Sequence, residues 1–340
     1  LARAGASGRS EEFSRAVLAS VSGGKRFRAL MAHVGYALSS GTALDRVSLP
    51  HLSAALELYQ ASALVHDDII DKADERRGIP TPHRTLADHH ASSSWIGSST
   101  DFGRHAAILV GDFLFSAATA AADEQALTLR EDCARAFTTR FADMHAEVAL
   151  GQYLDITAEQ TPLERTDALS TSDSLEVALH KSAHYSVVHP AILGAICGAP
   201  SIADVAELLD ILETILTPWG LAFQLRDDDL GVFGDPAVTG KPAGDDLREG
   251  KRTALLALTW EASSPAERRA LTDVLGVAEA SAQQIATATE IVERNGRAAH
   301  EAEIARLVAD GHAALDASGF DEDARAMARD LCSILTARRA

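Results

Sequence analysis

The stretch from Pro50 to Lys72 reads PHLSAALELYQASALVHDDIIDK and sets Leu52, Leu56, Tyr59 and Ala63 at steps of four, three and four. That rhythm puts the four side chains on one face of an α-helix, whereas a strand would alternate them. Apolar positions keep three- and four-residue steps through most of the chain, and alternation closed by hairpin turns is nearly absent. The pattern predicts an all-α protein with helices over 29–39, 50–72, 104–123, 126–158, 173–180, 187–198 and 202–232, and several more after Lys251. Gly and Pro fall at the joints, as at Gly23-Gly24, Thr161-Pro162 and Ala199-Pro200. No repeat of fixed period is visible, so a close-packed bundle in a single domain over 1–340 is expected rather than a solenoid. Residues 265–340, rich in Glu, Arg and Ala, read as an outer helical layer. Residues 78–103 carry Thr, Ser and His and read as the longest structureless stretch, of a size more often functional flap than filler.

The 340 residues include 31 Lys and Arg against 49 Asp and Glu, a net charge of −18. Such a chain repels a phosphate backbone, which excludes a nucleic-acid partner as the default and obliges any anionic ligand to find a local site. With 46% hydrophobic residues a sizeable core is expected. Cys133, Cys197 and Cys332 lie far apart, without the spacing of a zinc site or a disulfide framework, which points to a reducing, cytoplasmic setting. The longest apolar stretch, 106–122, contains Gly111 and is interrupted by Asp112, short of the roughly 20 apolar residues a membrane span needs, so no span is expected.

Two acidic clusters depart from the rule that charges lie on a solvated helix face. In Leu64-Val65-His66-Asp67-Asp68-Ile69-Ile70-Asp71, Asp67 and Asp71 stand one helical turn apart, with Asp68 beside them. In Phe223-Gln224-Leu225-Arg226-Asp227-Asp228-Asp229-Leu230-Gly231, acidic residues are again set among apolar ones. Carboxylates buried without partners are costly, so either they keep their protons or cations neutralise them. Oxygen-only ligands suit Mg²⁺, which takes one or two carboxylates and completes its octahedron with water and substrate phosphates. Basic residues supply the complement. Gly23-Gly24-Lys25-Arg26-Phe27-Arg28 opens a helix with three cations, Arg76-Arg77-Gly78 follows the first acidic cluster, and Lys181, Lys241 and Lys251-Arg252 lie near other helix ends. Together they describe a site for two diphosphates, one bridged by metal and one held by Lys and Arg.

Assembled in this order, the motifs resemble those of the trans-prenyltransferases, the polyprenyl diphosphate synthase family. The likeness runs from about Gly23 to Lys251 through GGKRFR, DDIID with ERRG, GQYLD, Lys181-Ser182 and FQLRDD with the later Lys241. It implies an all-α isoprenoid synthase bundle around a deep central cavity, usually a homodimer. It also implies that Asp67, Asp68, Asp71, Asp227 and Asp228 hold Mg²⁺, three ions with substrate bound. By the same likeness Lys25, Arg28, Gln60 and Arg77 take isopentenyl diphosphate. Arg76, Lys181 and Lys241 take the allylic diphosphate, with Gln224 and Lys251 nearby, and Gln152 and Asp155 line the cavity. The family usually has a further Asp where this chain has Gly231; Asp229 and Asp235 are candidates to compensate.

The implied reaction is ionisation of the allylic diphosphate, attack by the double bond of isopentenyl diphosphate, and loss of a proton to the released diphosphate. No general base is needed, and His66 on its helix points away from Asp67 and Asp71. In related enzymes bulky aromatics four and five residues before the first Asp stop chain growth; here those places are Ala63 and Ser62. Tyr59, two turns deeper, is the candidate floor, with Phe113 and Phe115 as others. Geranylgeranyl diphosphate is the expected product, and farnesyl or a longer chain the alternative. Two other readings are a terpene cyclase, which needs no second basic diphosphate site, and a catalytically weak partner or cargo subunit, supported by Gly231. His83, His89 and His90 read as solvated loop histidines rather than a zinc site, and Trp95 and Trp219 as packing residues.

Overall fold

A computed structural model of the chain describes residues 10–163, 165, 169–234, 244–277 and 279–336. Helix α1 (Glu11–Ser20) precedes α2 (Phe27–Ser40), a 3₁₀ turn (Leu44–Arg46) and α3 (Pro50–Ile70). A two-residue antiparallel ribbon follows, β1 (Glu75–Arg76) with β2 (Ile79–Pro80), and it is the only sheet among the described residues. Next come α4 (Pro82–Ser92), α5 (Ser99–Ala126), α6 (Glu131–Gln160), α7 (Thr171–Ala178), a π-helical segment (Leu179–Val188), α8 (His189–Gly198) and α9 (Ile202–Phe233). The C-terminal part consists of α10 (Asp245–Glu249), α11 (Ala254–Ala262), α12 (Pro265–Thr272), α13 (Ala282–Asn295), α14 (Arg297–Ala317) and α15 (Glu322–Thr336).

Local chemistry sets many of the boundaries. Pro50 and Pro82 occupy the first turns of α3 and α4, where a missing N–H costs nothing. Ser98 and Ser201 accept from the Asp101 and Asp204 N–H groups and cap α5 and α9. Ser264 with Glu267 and Ser281 with Gln284 close reciprocal capping boxes on α12 and α13.

The bundle packs α3 along α5, α2 along α8 and α14 along α9. Helices α2 and α8 touch backbone to backbone because each offers a glycine. A Cβ on Gly35 would lie 1.8 Å from the Ala191 carbonyl oxygen, and one on Gly194 would lie 1.8 Å from that of Ala32. The main core joins Met31, Leu52, Phe137, Leu193 and Trp219, and the fully buried Trp219 indole N–H donates to the Val308 carbonyl at 3.3 Å.

Four expectations change. Residues 78–103 are not a structureless flap: they hold β2, α4 and the start of α5. Helix α4 forms despite its polar composition because Pro82 starts it and Leu86 and Ala87 are buried, Leu86 within the cluster shared with α1, α3 and α5. His83 and His90 are accordingly buried helix residues rather than solvated loop histidines, bonded to Thr81 Oγ1 and the Ile96 carbonyl; His89 is half-buried. The joint expected at 124–125 lies instead at 127–130, between α5 and α6. Finally, α5 and α9 are both long and apolar enough to cross a membrane by length and composition, although no uninterrupted apolar run is present. Helix α9 turns its apolar residues into the bundle around Trp219, whereas α5 leaves Ile108, Leu109 and Phe115 partly exposed.

Candidate active site

The start of α2, the ends of α3 and α9, the ribbon and the π-helical segment converge on one cavity of about 990 Å³. Its lining brings together Lys25, Arg28, Gln60, Asp67, Arg76, Arg77, Gln224, Asp227 and Asp228, all singled out from the sequence. A smaller cavity of about 170 Å³ shares Asp67, Arg76, Gln224 and Asp228 with it and adds Asp71, Lys181 and Lys251. Lys241 and Asp235 lie outside the described residues. Gln152 lines neither cavity.

The first acidic cluster is laced to cations. Arg76, presented by β1, donates from Nε to Asp68 Oδ1 at 2.7 Å and from Nη2 to Asp67 Oδ2 at 3.2 Å. Lys251 lies 2.9 Å from both Asp71 and Glu159, and Lys181 pairs with Asp155 and stands 3.5 Å from Asp67 Oδ1. Burial pushes the Asp67 carboxyl up, but Lys181, Lys251 and Arg76 outweigh it and hold it below its ordinary range. Asp71 goes the other way, raised by burial and by repulsion from Asp67. The reach of Lys181 rests on the glycine of GQYLD, since a Cβ on Gly151 would lie 2.3 Å from the Lys181 backbone nitrogen. Helix α6 therefore approaches closely enough for Asp155 to meet the lysine. Asp155, rather than Gln152, is the member of that motif placed at the site.

In the second cluster Gln224 donates to Asp228 Oδ1 at 2.8 Å. Asp228 is held well above its ordinary value by burial and by the charges of Asp246 and Asp227. Asp229 faces the other side of α9, 3.1 Å from the Arg297 Nε, so it does not stand in for the missing Asp. Asp246 on α10 does occupy that space, because a Cβ on Gly231 would fall 2.0 Å from its Oδ2. Sequence reasoning missed Asp246, which lines both cavities; no local motif ties it to a position fifteen residues upstream.

The all-oxygen donor set fits a divalent cation of the Mg²⁺ type. Asp67 Oδ1 is buried and accepts no hydrogen bond, and Asp71 and Asp228 are crowded by like charge that such an ion would relieve. The same cavity is also lined by cations. Arg28 stacks over the Tyr185 ring at 4.0 Å and donates to Ser186 at 2.7 Å, while its Nε is buried without a partner. Arg77 packs its guanidinium against Gly24. Arg26 lines the same cavity but is engaged by Glu57 and the Val21 carbonyl. His66 faces α5, 3.3 Å from the Ile108 carbonyl, away from the aspartates as expected.

Of the residues expected to limit chain length, Ser62 donates to the Gly111 carbonyl at 2.8 Å, and neither it nor Ala63 nor Tyr59 lines the cavity. The apolar wall is instead Ala61, Leu64, Tyr185 and Phe223. Tyr59 stands behind Tyr185, edge-on at 5.5 Å, stacked on His145 at 4.2 Å and against Phe115 at 6.0 Å. Phe113 packs on Phe13, away from this group.

Comparison with known proteins agrees with this geometry. A family model described as polyprenyl synthetase matches residues 10–292. The geranylfarnesyl diphosphate synthase of Aeropyrum pernix is 32% identical over 277 residues, 81% of this chain and 77% of its own. The geranylgeranyl diphosphate synthase of Mycobacterium tuberculosis is 32% identical over 294 residues, 85% and 74% of the two chains. Among solved structures, a geranylgeranyl pyrophosphate synthase from Corynebacterium glutamicum complexed with isoprenyl diphosphate and magnesium superposes with a TM-score of 0.84 at 37% identity, covering 95% of this chain and 90% of that one.

Proposed function

The chain belongs to the polyprenyl synthetase family and is a prenyltransferase of isoprenoid synthesis, and from that premise we propose that it extends an allylic diphosphate with isopentenyl diphosphate to make geranylgeranyl diphosphate. The observation that carries the reading is one cavity whose lining holds both a cationic set, Lys25, Arg28 and Arg77, and an acidic set, Asp67, Asp227 and Asp228 with Arg76.

Lys25, Arg28, Gln60 and Arg77 hold the isopentenyl diphosphate, and a terpene cyclase would not need them. Asp67, Asp68, Asp71, Asp227 and Asp228 hold Mg²⁺, three ions with substrate present; when bound, these ions supply charge stabilisation to the departing diphosphate. Arg76, Lys181 and Lys251 aim their cations at the same place, with Lys241 assigned there by resemblance. Preorganised donors of this kind stabilise charge that grows in the transition state. As the allylic C–O bond breaks, Tyr185 and Phe223 border the cation and exclude water. The isopentenyl double bond forms the new C–C bond, and the released diphosphate takes the departing proton. Asp246 supplies the carboxylate that the family carries at position 231, which removes the support for a catalytically weak subunit.

Product length is set by the rings behind Tyr185, with Tyr59 as the floor. The functional unit is a cytoplasmic homodimer, whose second copy covers the partly exposed apolar side chains Ile108, Leu109 and Phe115 of α5 and Leu150 and Tyr153 of α6. Incubation with Mg²⁺, isopentenyl diphosphate and primers of increasing length, followed by chromatography of the products, tests the activity. A dominant C20 product is expected, and no elongation from any primer would overturn the reading.

A further inference from the structure

Away from the diphosphate cavity, three imidazoles converge on one carboxylate. Glu147 projects from α6, His180 and His184 from the π-helical segment, and His189 from the first position of α8. His180 Nδ1 and His184 Nδ1 lie 2.7 and 2.6 Å from the same oxygen, Glu147 Oε1, while His189 Nε2 lies 2.6 Å from Oε2. The ligating atoms of Glu147, His180 and His184 all fall within 4.8 Å of one another. Those three side chains remain partly open to solvent, whereas His189 is buried at 3% exposure with its Nδ1 unpartnered.

We propose that Glu147, His180 and His184 form a binding site for a transition-metal dication of the Zn²⁺ type, distinct from the Mg²⁺ site. Two imidazoles and a carboxylate are borderline ligands that suit zinc far better than magnesium. Zinc bonds of about 2.0–2.2 Å place neighbouring ligands of a tetrahedron roughly 3.3 Å apart, so each short contact here opens by only about 0.6 Å to admit the ion. The solvent-facing side leaves a fourth position for water. His189 is a positioning residue: it holds the free carboxylate oxygen and so orients Glu147, the role a second hydrogen-bonding layer plays around metal ligands. Spacing keeps the two sites apart, since Glu147 and Asp155 are eight residues apart on α6, about 12 Å along its axis. The ion would tie the π-helical segment to α6 next to Lys181.

The test uses chelator-stripped protein in saturating Mg²⁺, so that the aspartate cavity is already occupied. Titrated with Co²⁺ as a visible probe and back-titrated with Zn²⁺, the wild-type chain is expected to bind one equivalent with the intense absorption of a four-coordinate site. His180→Gln/His184→Gln should abolish that signal, Asp67→Asn should retain it, and His189→Gln should weaken affinity about 10–100-fold. A wild-type chain with no Co²⁺ absorption and no Zn²⁺ uptake would overturn the proposal, as would a signal that survives the double substitution. Zinc-edge anomalous diffraction from crystals of the wild-type protein decides the matter should the variants fail to fold: density between Glu147, His180 and His184 supports the site, and its absence at saturating Zn²⁺ refutes it.

Discussion

Restoring the family's usual aspartate at position 231 should damage this enzyme. In Gly231→Asp the new Cβ would sit 2.0 Å from Asp246 Oδ2 and 2.3 Å from its Cγ, so Asp246 must retreat by more than 1 Å before the side chain fits at all. Two carboxylates then compete for one space beside Asp227 and Asp228. At about 4 Å separation and an effective dielectric near 20, each like-charge pair costs about 4 kcal/mol. A misplaced electrostatic group in such a site typically lowers turnover about 10²–10³-fold, and that loss is expected for Gly231→Asp and for Asp246→Ala alone. The double variant Gly231→Asp/Asp246→Ala returns one carboxylate to one space and should recover to within about tenfold of wild type, a coupling of at least about 4 kcal/mol. Initial rates with labelled isopentenyl diphosphate at saturating Mg²⁺, alongside thermal unfolding to exclude misfolded protein, complete the cycle. Full activity in Gly231→Asp, or a double variant no better than the worse single one, would refute the assignment of Asp246.

The other consequences are simpler to state. Tyr59→Ala removes a ring stacked on His145 behind the cavity wall, so chromatography should reveal products longer than wild type; an unchanged distribution eliminates Tyr59 as the floor. Lys251→Met leaves Asp71, Asp155 and Glu159 without the ammonium they share. In denaturant titrations without Mg²⁺ it should cost about 3–5 kcal/mol, and part of that loss should return when Mg²⁺ is added. His300 is fully buried with neither ring nitrogen hydrogen-bonded, and burial lowers its pKa from 6.5 to about 4. Because the unfolded chain binds the extra proton first, this group's contribution is intact above pH 6.5 and lost as pH falls towards 4, on the order of 3 kcal/mol in all. His300→Leu should flatten that part of the stability profile, and an unaltered slope would show that another group titrates there.

Much of the architecture was readable because α3, α5, α6 and α9 are long, and a 3.6-residue repeat becomes unmistakable over many turns. Helix α4 was not, since His83, Thr85, Asp88 and His89 blur its apolar face and its stability comes from Pro82 and from burial of Leu86. A joint after α5 was expected, but its position at 127–130 rather than 124–125 contains neither Gly nor Pro, so the exact boundary carries no local signal. Within the site, the aspartates and the Lys and Arg groups were legible as charges set among apolar residues. Their pairings were not: nothing along the chain couples Lys251 to Asp71, 180 residues away, or Lys181 to Asp155.

The sequence by itself determined the helical class, the carboxylate clusters and the cationic complement, because periodicity and the cost of burying charge are local properties of the chain. Only the tertiary structure decided which carboxylate stands beside which cation, that Asp246 fills the space left by Gly231, that Tyr185 rather than Tyr59 forms the cavity wall, and that Glu147 gathers three histidines. These are contacts between helices distant in sequence, set by how closely glycines such as Gly35, Gly151 and Gly194 let those helices approach.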